Sequence, residues 1–387
     1  MAADTIGARI RYWRLRRGGM NQAVLAGLAG VSQPYISQVE SGRKTIERRS
    51  TLVAIAGALQ VTVADLLGQP GDPTDPGRAR AAASVPAIRE AVIMRKAGVV
   101  RQTNRHATAT VDRAVELDGE GDFAARGAIL PPLLSACRGP DLIRTAYAAV
   151  WHLHFTGYID LAREVAGLAM DEARDVDSPE WVGFAEYLRA SSLPPETAGL
   201  ASDLAKRAAA VAQPHAGDPH VRQVYGMLHL TAALRAATSR RATDAMEHLD
   251  EAAREATTLG DPGDGRGFCH LAFGPTNVDV WRLGILTELG DHEQAAALGP
   301  RINPERVGVP NRQAAYWMDY GQALTTQGHD DEAVAAYLRA EAVCPQWYRL
   351  RPSVRDTLAV LVRRAKRRAV SRPLQRAALA VGLRVGD

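Results

Sequence analysis

Residues 22–41 read QAVLAGLAGVSQPYISQVES, and this stretch decides the fold of the N-terminal region. Ala26 provides the small side chain that two steeply crossing helices need at their contact. Gly30, four residues later, permits the positive φ angle of a tight turn. Ser32 can cap a second helix by accepting a first-turn N–H, and Pro34 falls where no N–H is needed. The stretch therefore predicts two short helices joined by a tight turn.

The second of these helices has an apolar side and a polar side. Ile36 and Val39 are spaced to pack on the first helix. The N-terminal residues of a recognition helix reach base edges in the major groove, where glutamine can bond adenine bidentately. This helix could also be polar simply because it faces solvent. The combination of a cap, a glycine, an apolar pair and two glutamines instead favours a helix-turn-helix that reads duplex DNA. The polar face consists of Gln33, Tyr35, Ser37, Gln38 and Ser41.

The distribution of charge supports a polyanionic partner for the N-terminal region. Residues 1–70 contain nine Lys and Arg against four Asp and Glu, whereas the net charge of the whole chain is only +4. The positive excess therefore lies entirely in this region. A basic module on a nearly neutral body is typical of proteins that bind nucleic acid.

Further short apolar periods surround the two helices. They predict five short helices in a compact all-α domain over residues 1–69. Thr62 is expected to cap the last helix, with Asp65 three residues later. The apolar positions are Ile6, Ile10 and Trp13, then Leu25 and Leu28, then Leu52, Ile55, Ala56 and Leu59, then Leu66 and Leu67.

Residues 6–67 resemble the Xre/Cro-type helix-turn-helix family, which includes phage repressors. The resemblance lies in MNQAVLAGLAGVSQPYISQVESGRK and in ALQVTVADLL. It implies a five-helix Cro/lambda-repressor-like domain that binds double-stranded operator DNA. It also implies base contacts by Gln33 and Gln38 and an operator contact by Gln22.

The same resemblance implies an ion pair and a set of backbone contacts. A first-helix arginine, here Arg14, should pair with Glu40, although RRGGMNQ is one residue longer than the family's common RRGMNQ. Phosphate or minor-groove contacts are implied for Asn21, Ser41, Arg43 and Arg48. The complete set of expected DNA-binding residues is Asn21, Gln22, Gln33, Tyr35, Ser37, Gln38, Ser41, Arg43, Lys44 and Arg48.

A composition change marks the end of this domain. Residues 68–84 read GQPGDPTDPGRARAAAS, with three prolines among glycines and aspartates. Such a stretch is expected to form an extended linker over residues 70–84. The remaining residues, 85–387, are rich in alanine and predict a second helical domain.

The clearest pattern in the second domain covers residues 314–347, AAYWMDYGQALTTQGHDDEAVAAYLRAEAVCPQW. It follows the tetratricopeptide pattern of two antiparallel helices in which small residues, here Gly321 and Ala333, allow close approach. Pro345 ends the second helix. Weaker helix pairs are predicted at Gly157 and Ala162, at Gly290 and Ala295, and over residues 221–258, with a longer turn near residues 239–241.

The whole chain looks similar to actinobacterial regulators that join an Xre-type domain to tetratricopeptide-like repeats. It resembles, more distantly, the peptide-pheromone-sensing regulators of Gram-positive bacteria. We expect a homodimeric transcription regulator tuned by a peptide, small molecule or protein that binds the repeats. The alternative is that the repeats serve only dimerisation or docking of a partner protein. The tetratricopeptide register places the candidate effector residues at Arg144, Tyr147, Trp151, His154, Asn277 and Gln322.

Several other functions find no support in the sequence. Cys137, Cys269 and Cys344 match no metal or redox spacing, and no catalytic motif, metal site or cofactor is expected. With no signal peptide or apolar span visible, the expected location is cytoplasmic. The basic run RRAKRR at 363–368 is expected to be a solvated helix face rather than a second nucleic-acid site.

Overall fold

The computed structural model describes residues 5–69, 76–99, 107–365 and 370–383. These residues form helices and no strand, so the predicted all-α fold class is confirmed. The α-helices in chain order are α1 Ile6–Arg16, α2 Gln22–Ala29, α3 Gln33–Glu40, α4 Arg49–Leu59, α5 Val63–Leu67, α6 Pro76–Ala82, α7 Val85–Lys96, α8 Ala107–Glu120, α9 Phe123–Ala136, α10 Gly139–Thr156, α11 Ile159–Val176, α12 Pro179–Ser192, α13 Ala198–Ala212, α14 Pro219–Thr238, α15 Ala242–Leu259, α16 Pro275–Leu289, α17 His292–Leu298, α18 Pro310–Gln327, α19 Asp330–Val343, α20 Pro345–Leu350, α21 Pro352–Ala365 and α22 Arg372–Ala380.

The chain forms two compact units. The first comprises Met1–Pro70, Leu283–Arg301 and Ala314–Asp387, and the second comprises Gly71–Arg282 and Ile302–Gln313. This grouping differs from the predicted division into an N-terminal domain and one continuous C-terminal domain. It depends on contacts between residues hundreds of positions apart, which composition along the chain does not show.

The predicted linker over residues 70–84 is partly helical. Residues 70–75 lie outside the described residues, but α6 begins at Pro76 and continues to Ala82. The prediction of an extended chain there was wrong. Proline is tolerated at the first helical position, and the alanine- and arginine-rich run that follows has a high helix propensity. Ala81 of α6 is buried.

The first five helices enclose a core made by the predicted apolar residues. Ile10, Ile36 and Leu59 are fully buried in it. Helices α1 and α3 approach so closely that a Cβ at Gly7 would collide with the carbonyl of Val39. Leu28, in contrast, is 63% exposed, so its predicted place in the core was wrong. Helix α2 has only two turns, and its neighbours cover a single face.

The predicted turns and caps of this region are confirmed. Gly30 ends α2 with φ = 64°, the left-handed conformation that glycine adopts without strain. The Ser32 hydroxyl accepts a hydrogen bond from the Tyr35 amide at the start of α3. Thr62 and Asp65 form a capping box on α5.

The predicted helix pair at 314–347 is present as α18 and α19. Ala333 is fully buried, and a Cβ at Gly321 would lie 3.1 Å from the ring of Tyr337. Pro345 both follows α19 and begins α20. Of the weaker pairs, α10 packs on α11 and α14 packs on α15, and the helices α16 and α17 are present at the third.

Candidate nucleic-acid interface

Helix α3 presents a polar face that is open within its unit. Gln33 and Gln38 are exposed, whereas Tyr35 and Ser37 are half-buried. The helix is amphipathic, because the side chains of Ile36 and Val39 point into the core. The exposed glutamines can therefore reach a ligand without any rearrangement of the five-helix core.

A chain of hydrogen bonds orients the first of these glutamines. The Gln33 side-chain amide donates to Gln22 Oε1 over 3.0 Å, and the Gln22 amide donates to Glu40 Oε2 over 2.8 Å. Glu40 in turn accepts from Arg14 Nε over 2.6 Å and from Arg14 Nη2 over 2.8 Å. Gln33 thus stands at the outer end of a connected network whose inner end is buried.

The Arg14–Glu40 ion pair that the resemblance implied is confirmed. Both side chains are nearly enclosed, and the hydrogen bonds that Arg14 donates to Glu40 raise the pKa of Arg14. The extra residue of RRGGMNQ does not break the pair, because Gly18 and Gly19 both adopt positive φ angles and absorb it in the turn. Arg14 Nη1 also donates to the carbonyl of Met20 over 2.5 Å.

The loop after α3 exposes basic side chains rather than free backbone amides. Gly42 turns the chain with φ = 68°. The amides of Arg43 and Lys44 both donate to the carbonyl of Gln38, over 2.7 and 3.2 Å. The Arg43 side chain is exposed, and Lys44 Nζ lies 5.2 Å from the ring centroid of Tyr35. A phosphate near this loop would therefore meet cationic side chains.

The remaining expected DNA-binding residues lie at the edges of this surface. Asn21 is exposed, and its side chain caps α2 by accepting from the Val24 amide over 2.8 Å. Ser41 is half-buried, and its hydroxyl donates to the carbonyl of Gln38. Arg48 is exposed just before α4. The candidate interface thus combines the exposed polar face of α3 with flanking polar and basic groups.

Two buried carboxylates of the same unit bind helix N-termini of the five-helix region. Glu288 accepts from the amides of Arg49 and Ser50, both over 2.9 Å. Asp356 accepts from the amide of Ile6 over 3.2 Å. Burial raises the pKa of Glu288, and it raises the pKa of Asp356 to about 7. Sequence reasoning missed both residues, since no local pattern links positions this far apart.

A contact between a histidine and a carboxylate joins the same parts of this unit. His292 Nε2 lies 3.3 Å from Glu47 Oε2, and both side chains are largely enclosed. Burial opposes ionisation of Glu47, but the hydrogen bond from His292 and the nearby Lys44 and Arg48 outweigh it and lower its pKa. The turn before α4 is therefore contacted by His292 of α17 as well as by α3.

The predicted effector residues of the second unit do not share one open face. Tyr147 is 7% exposed and Asn277 only 1%. The Asn277 amide donates to the carbonyl of Leu271 over 3.2 Å, and its oxygen accepts from Arg312 Nε over 3.0 Å. Both residues therefore have packing roles where the sequence placed them on a ligand-binding face. Helical spacing placed Tyr147 on a stripe with Arg144, Trp151 and His154 but did not identify the neighbouring helices that cover it.

The other predicted effector residues are only partly accessible. Arg144 forms ion pairs with Asp112 and Asp141. Trp151 and His154 are half-buried, with ring centroids 5.6 Å apart. Gln322 belongs to the other unit, where its side-chain oxygen accepts from the Thr357 hydroxyl over 3.1 Å. The residues that retain accessible surface are Arg144, Trp151, His154 and Gln322.

Comparison with known families agrees with this geometry. Residues 5–67 match the model of a helix-turn-helix domain family. The N-terminal region is a helix-turn-helix domain. Its second helix, α3, carries the exposed glutamines at the position where such domains contact bases. No curated protein matches the chain. Among the described residues, no helix is long and apolar enough to cross a membrane.

Proposed function

We propose that the protein is a sequence-specific DNA-binding transcription regulator in which α3 reads bases in the major groove. The observation that carries this proposal is Gln33, exposed on the first turn of α3 and oriented through Gln22 and Glu40. A side chain that is already held in place loses less conformational entropy on binding. A bidentate contact between a glutamine and adenine is worth about 1–3 kcal/mol of discrimination.

Selection from a random duplex library tests this function. The full-length protein is incubated with the library at moderate salt, and the retained fragments are sequenced over several rounds. The proposal expects one recurring motif that contains adenine at the position facing Gln33. Retention of fragments with no common motif would show that the protein binds DNA only non-specifically. No retention would show that it does not bind DNA.

We propose further that the protein acts as a homodimer. One helix-turn-helix reads only a half-site, and symmetric dimers usually read two half-sites about one helical turn apart. The proposal expects the selected motif to be partly palindromic with that spacing. Sedimentation that shows a monomer both free and on the selected DNA would contradict it.

The remaining helices are proposed to form tetratricopeptide-like pairs that tune DNA binding through an effector. Within the second unit, a cleft of about 540 Å³ between α12 and α13 is within the size range of ligand pockets. Its lining includes the apolar side chains of Val182, Leu204 and Val211. Its charged lining residues are Asp177, Glu186, Arg189 and Arg207, and Arg189 pairs with Glu186 over 2.9 Å. Apolar walls with charges of both signs suit a peptide or small molecule that carries a carboxylate for Arg207.

A thermal-shift screen of carboxylate-bearing peptides and small molecules tests the effector proposal. The expected result is a compound that stabilises the wild-type protein and changes its affinity for the selected DNA. Ala208→Trp, which fills the cleft, should abolish both effects. If a hit stabilises both proteins equally, the effector binds elsewhere. If no compound changes DNA affinity, the helices serve only dimerisation or docking of a partner protein.

The proposed role is regulatory rather than enzymatic. The helix-turn-helix match and the exposed reading helix account for the basic N-terminal region without a reaction step. The sequence motifs point in the same direction, because they place polar residues for recognition and none in a catalytic arrangement.

A further inference from the structure

Helix α21 lies along the helix-turn-helix domain within the first unit. The residues of α21 that face the domain are Asp356, Ala359, Val360 and Arg363, which follow one another at helical spacing. The cleft between the two surfaces holds only about 20 Å³, little more than the space of one water molecule. Helix α21 is therefore in close contact with the domain.

The two ends of this contact carry polar groups that suit the helix ends they meet. Asp356 accepts from the amide of Ile6 at the N-terminus of α1, the positive end of a helix dipole. Two turns later, the Arg363 guanidinium donates to the carbonyl of Ser41 at the C-terminus of α3, the negative end. Arg363 is thereby fixed beside the end of the proposed reading helix.

Arg363 lies beside the loop that follows α3 and is not covered by it. A Cβ at Gly42 would lie 2.8 Å from Arg363 Cζ, so the guanidinium rests directly against the loop that follows α3. The Arg363 side chain nevertheless remains exposed, like that of Arg43 in the same loop. A guanidinium has five N–H groups, and the hydrogen bond to Ser41 uses one of them.

We propose that Arg363 extends the DNA-binding surface by contacting a backbone phosphate next to the one met by Arg43. The inference rests on the proposed function of α3. A helix lying in a major groove has phosphates on both sides, and arginine is the side chain best suited to grip them. The amides of this loop are used internally by Gln38, so cationic side chains carry its phosphate contacts. A helix more than 300 residues away in sequence thus supplies part of the interface.

The salt dependence of DNA binding tests this contact. Each phosphate contact contributes about 0.9 to the slope of log affinity against log salt concentration. Arg363→Gln removes the charge but keeps an N–H donor for the Ser41 carbonyl, so a purely structural role would be preserved. We expect this variant to bind every duplex more weakly and to lower the slope by about one. Arg363→Lys should restore the slope.

The neighbouring arginine provides a matched control. Arg364 has the same charge and lies one position along α21, but it donates to the Thr325 carbonyl and to Asp330, both over 2.8 Å. Arg364→Gln should leave the slope unchanged, whereas Arg43→Ala should lower it by about one. Circular dichroism and the melting temperature establish that each variant is folded.

The possible results distinguish failure of this inference from failure of the proposed function. If Arg363→Gln leaves the slope unchanged, or if Arg364→Gln lowers it equally, Arg363 makes no specific phosphate contact and the inference is overturned. The proposed function would survive either result. If the wild-type protein shows no salt-dependent binding to any duplex, the proposed function itself fails, and the inference fails with it.

Discussion

Gln33 is exposed on the first turn of α3, and its orientation depends on residues of two other helices. We predict that Gln33→Ala weakens binding to the selected DNA by about 1–3 kcal/mol, because a bidentate base contact is lost. Binding to random DNA should change little, since it depends on phosphate contacts. Equilibrium titration of both duplexes with the full-length protein measures the two changes. Equal losses on both would show that Gln33 does not read a base.

The inner end of the same network is a buried ion pair. We predict that Glu40→Ala destabilises the helix-turn-helix domain by about 3–5 kcal/mol, because it leaves the Arg14 charge buried without its carboxylate. Hydrogen exchange of the amides of α1 and α3 in the full-length protein measures this locally. The double variant Arg14→Met, Glu40→Leu should recover much of the protection. A loss below about 1 kcal/mol would indicate that the pair is effectively solvated.

Sequence reasoning identified the residues of the candidate site but not the hydrogen bonds among them. Spacing placed Gln33 at the start of α3, and the resemblance supplied Gln22 and the pairing of Arg14 with Glu40. The contact between Gln22 and Gln33 depends on side-chain rotamers, which spacing does not specify. Their DNA-binding roles remain predictions that the titrations decide.

Helix α4 receives no N-terminal cap from the side chain of the residue that precedes it. Arg48 makes no side-chain bond to the first turn, and Glu288 accepts the two free amides instead. We predict that Glu288→Ala lowers the stability of α4 by about 1–2 kcal/mol, the usual cost of losing an N-terminal cap. Hydrogen exchange of the α4 amides provides the measurement. Glu293→Ala, an exposed residue in the first turn of α17, should leave them unaffected.

The N-terminus of α1 carries a pH-dependent contact. Burial raises the pKa of Asp356 to about 7, whereas an aspartate in an unfolded chain titrates near 3.9. The folded chain therefore keeps a proton that the unfolded chain releases, so this group's contribution to stability falls as pH rises between about 4 and 7. Asp356→Asn retains an acceptor for the Ile6 amide but cannot ionise.

We predict that Asp356→Asn gains stability relative to the wild-type protein as the pH is raised from about 5 to about 8. Urea midpoints of both proteins at each pH provide the measurement. The difference between them isolates this group, because the other titratable groups are common to both. A difference that stays constant with pH would mean that Asp356 is ionised over the whole range.

Helical periodicity predicted most helices but not which residues of each helix are covered by neighbouring helices. The caps at Ser32 and Thr62 depend on neighbouring residues in the sequence, and the structure confirms both. The exposure of Leu28 and the burial of Tyr147 and Asn277 depend on neighbouring helices that periodicity does not identify. Helix α6 was missed because its first residue, Pro76, was interpreted as a helix breaker rather than as a helix start.

At the scale of the whole molecule, the chain does not divide in sequence order. Its first unit combines the N-terminal helices with Leu283–Arg301 and Ala314–Asp387. Glu288, Asp356 and Arg363 make the contacts within this unit that no stretch of sequence revealed. The C-terminal helices thus support the proposed reading helix as well as forming helix pairs.

The specificity ratio of the full-length protein tests the central claim, that α3 reads a particular DNA sequence. Affinities for the selected duplex and for a scrambled duplex of the same length and composition are measured at one fixed salt concentration near 0.15 M. We predict that the selected duplex binds at least about 10³-fold more tightly, the lower end of the range for specific DNA-binding proteins. Equal affinity for the two duplexes would contradict it.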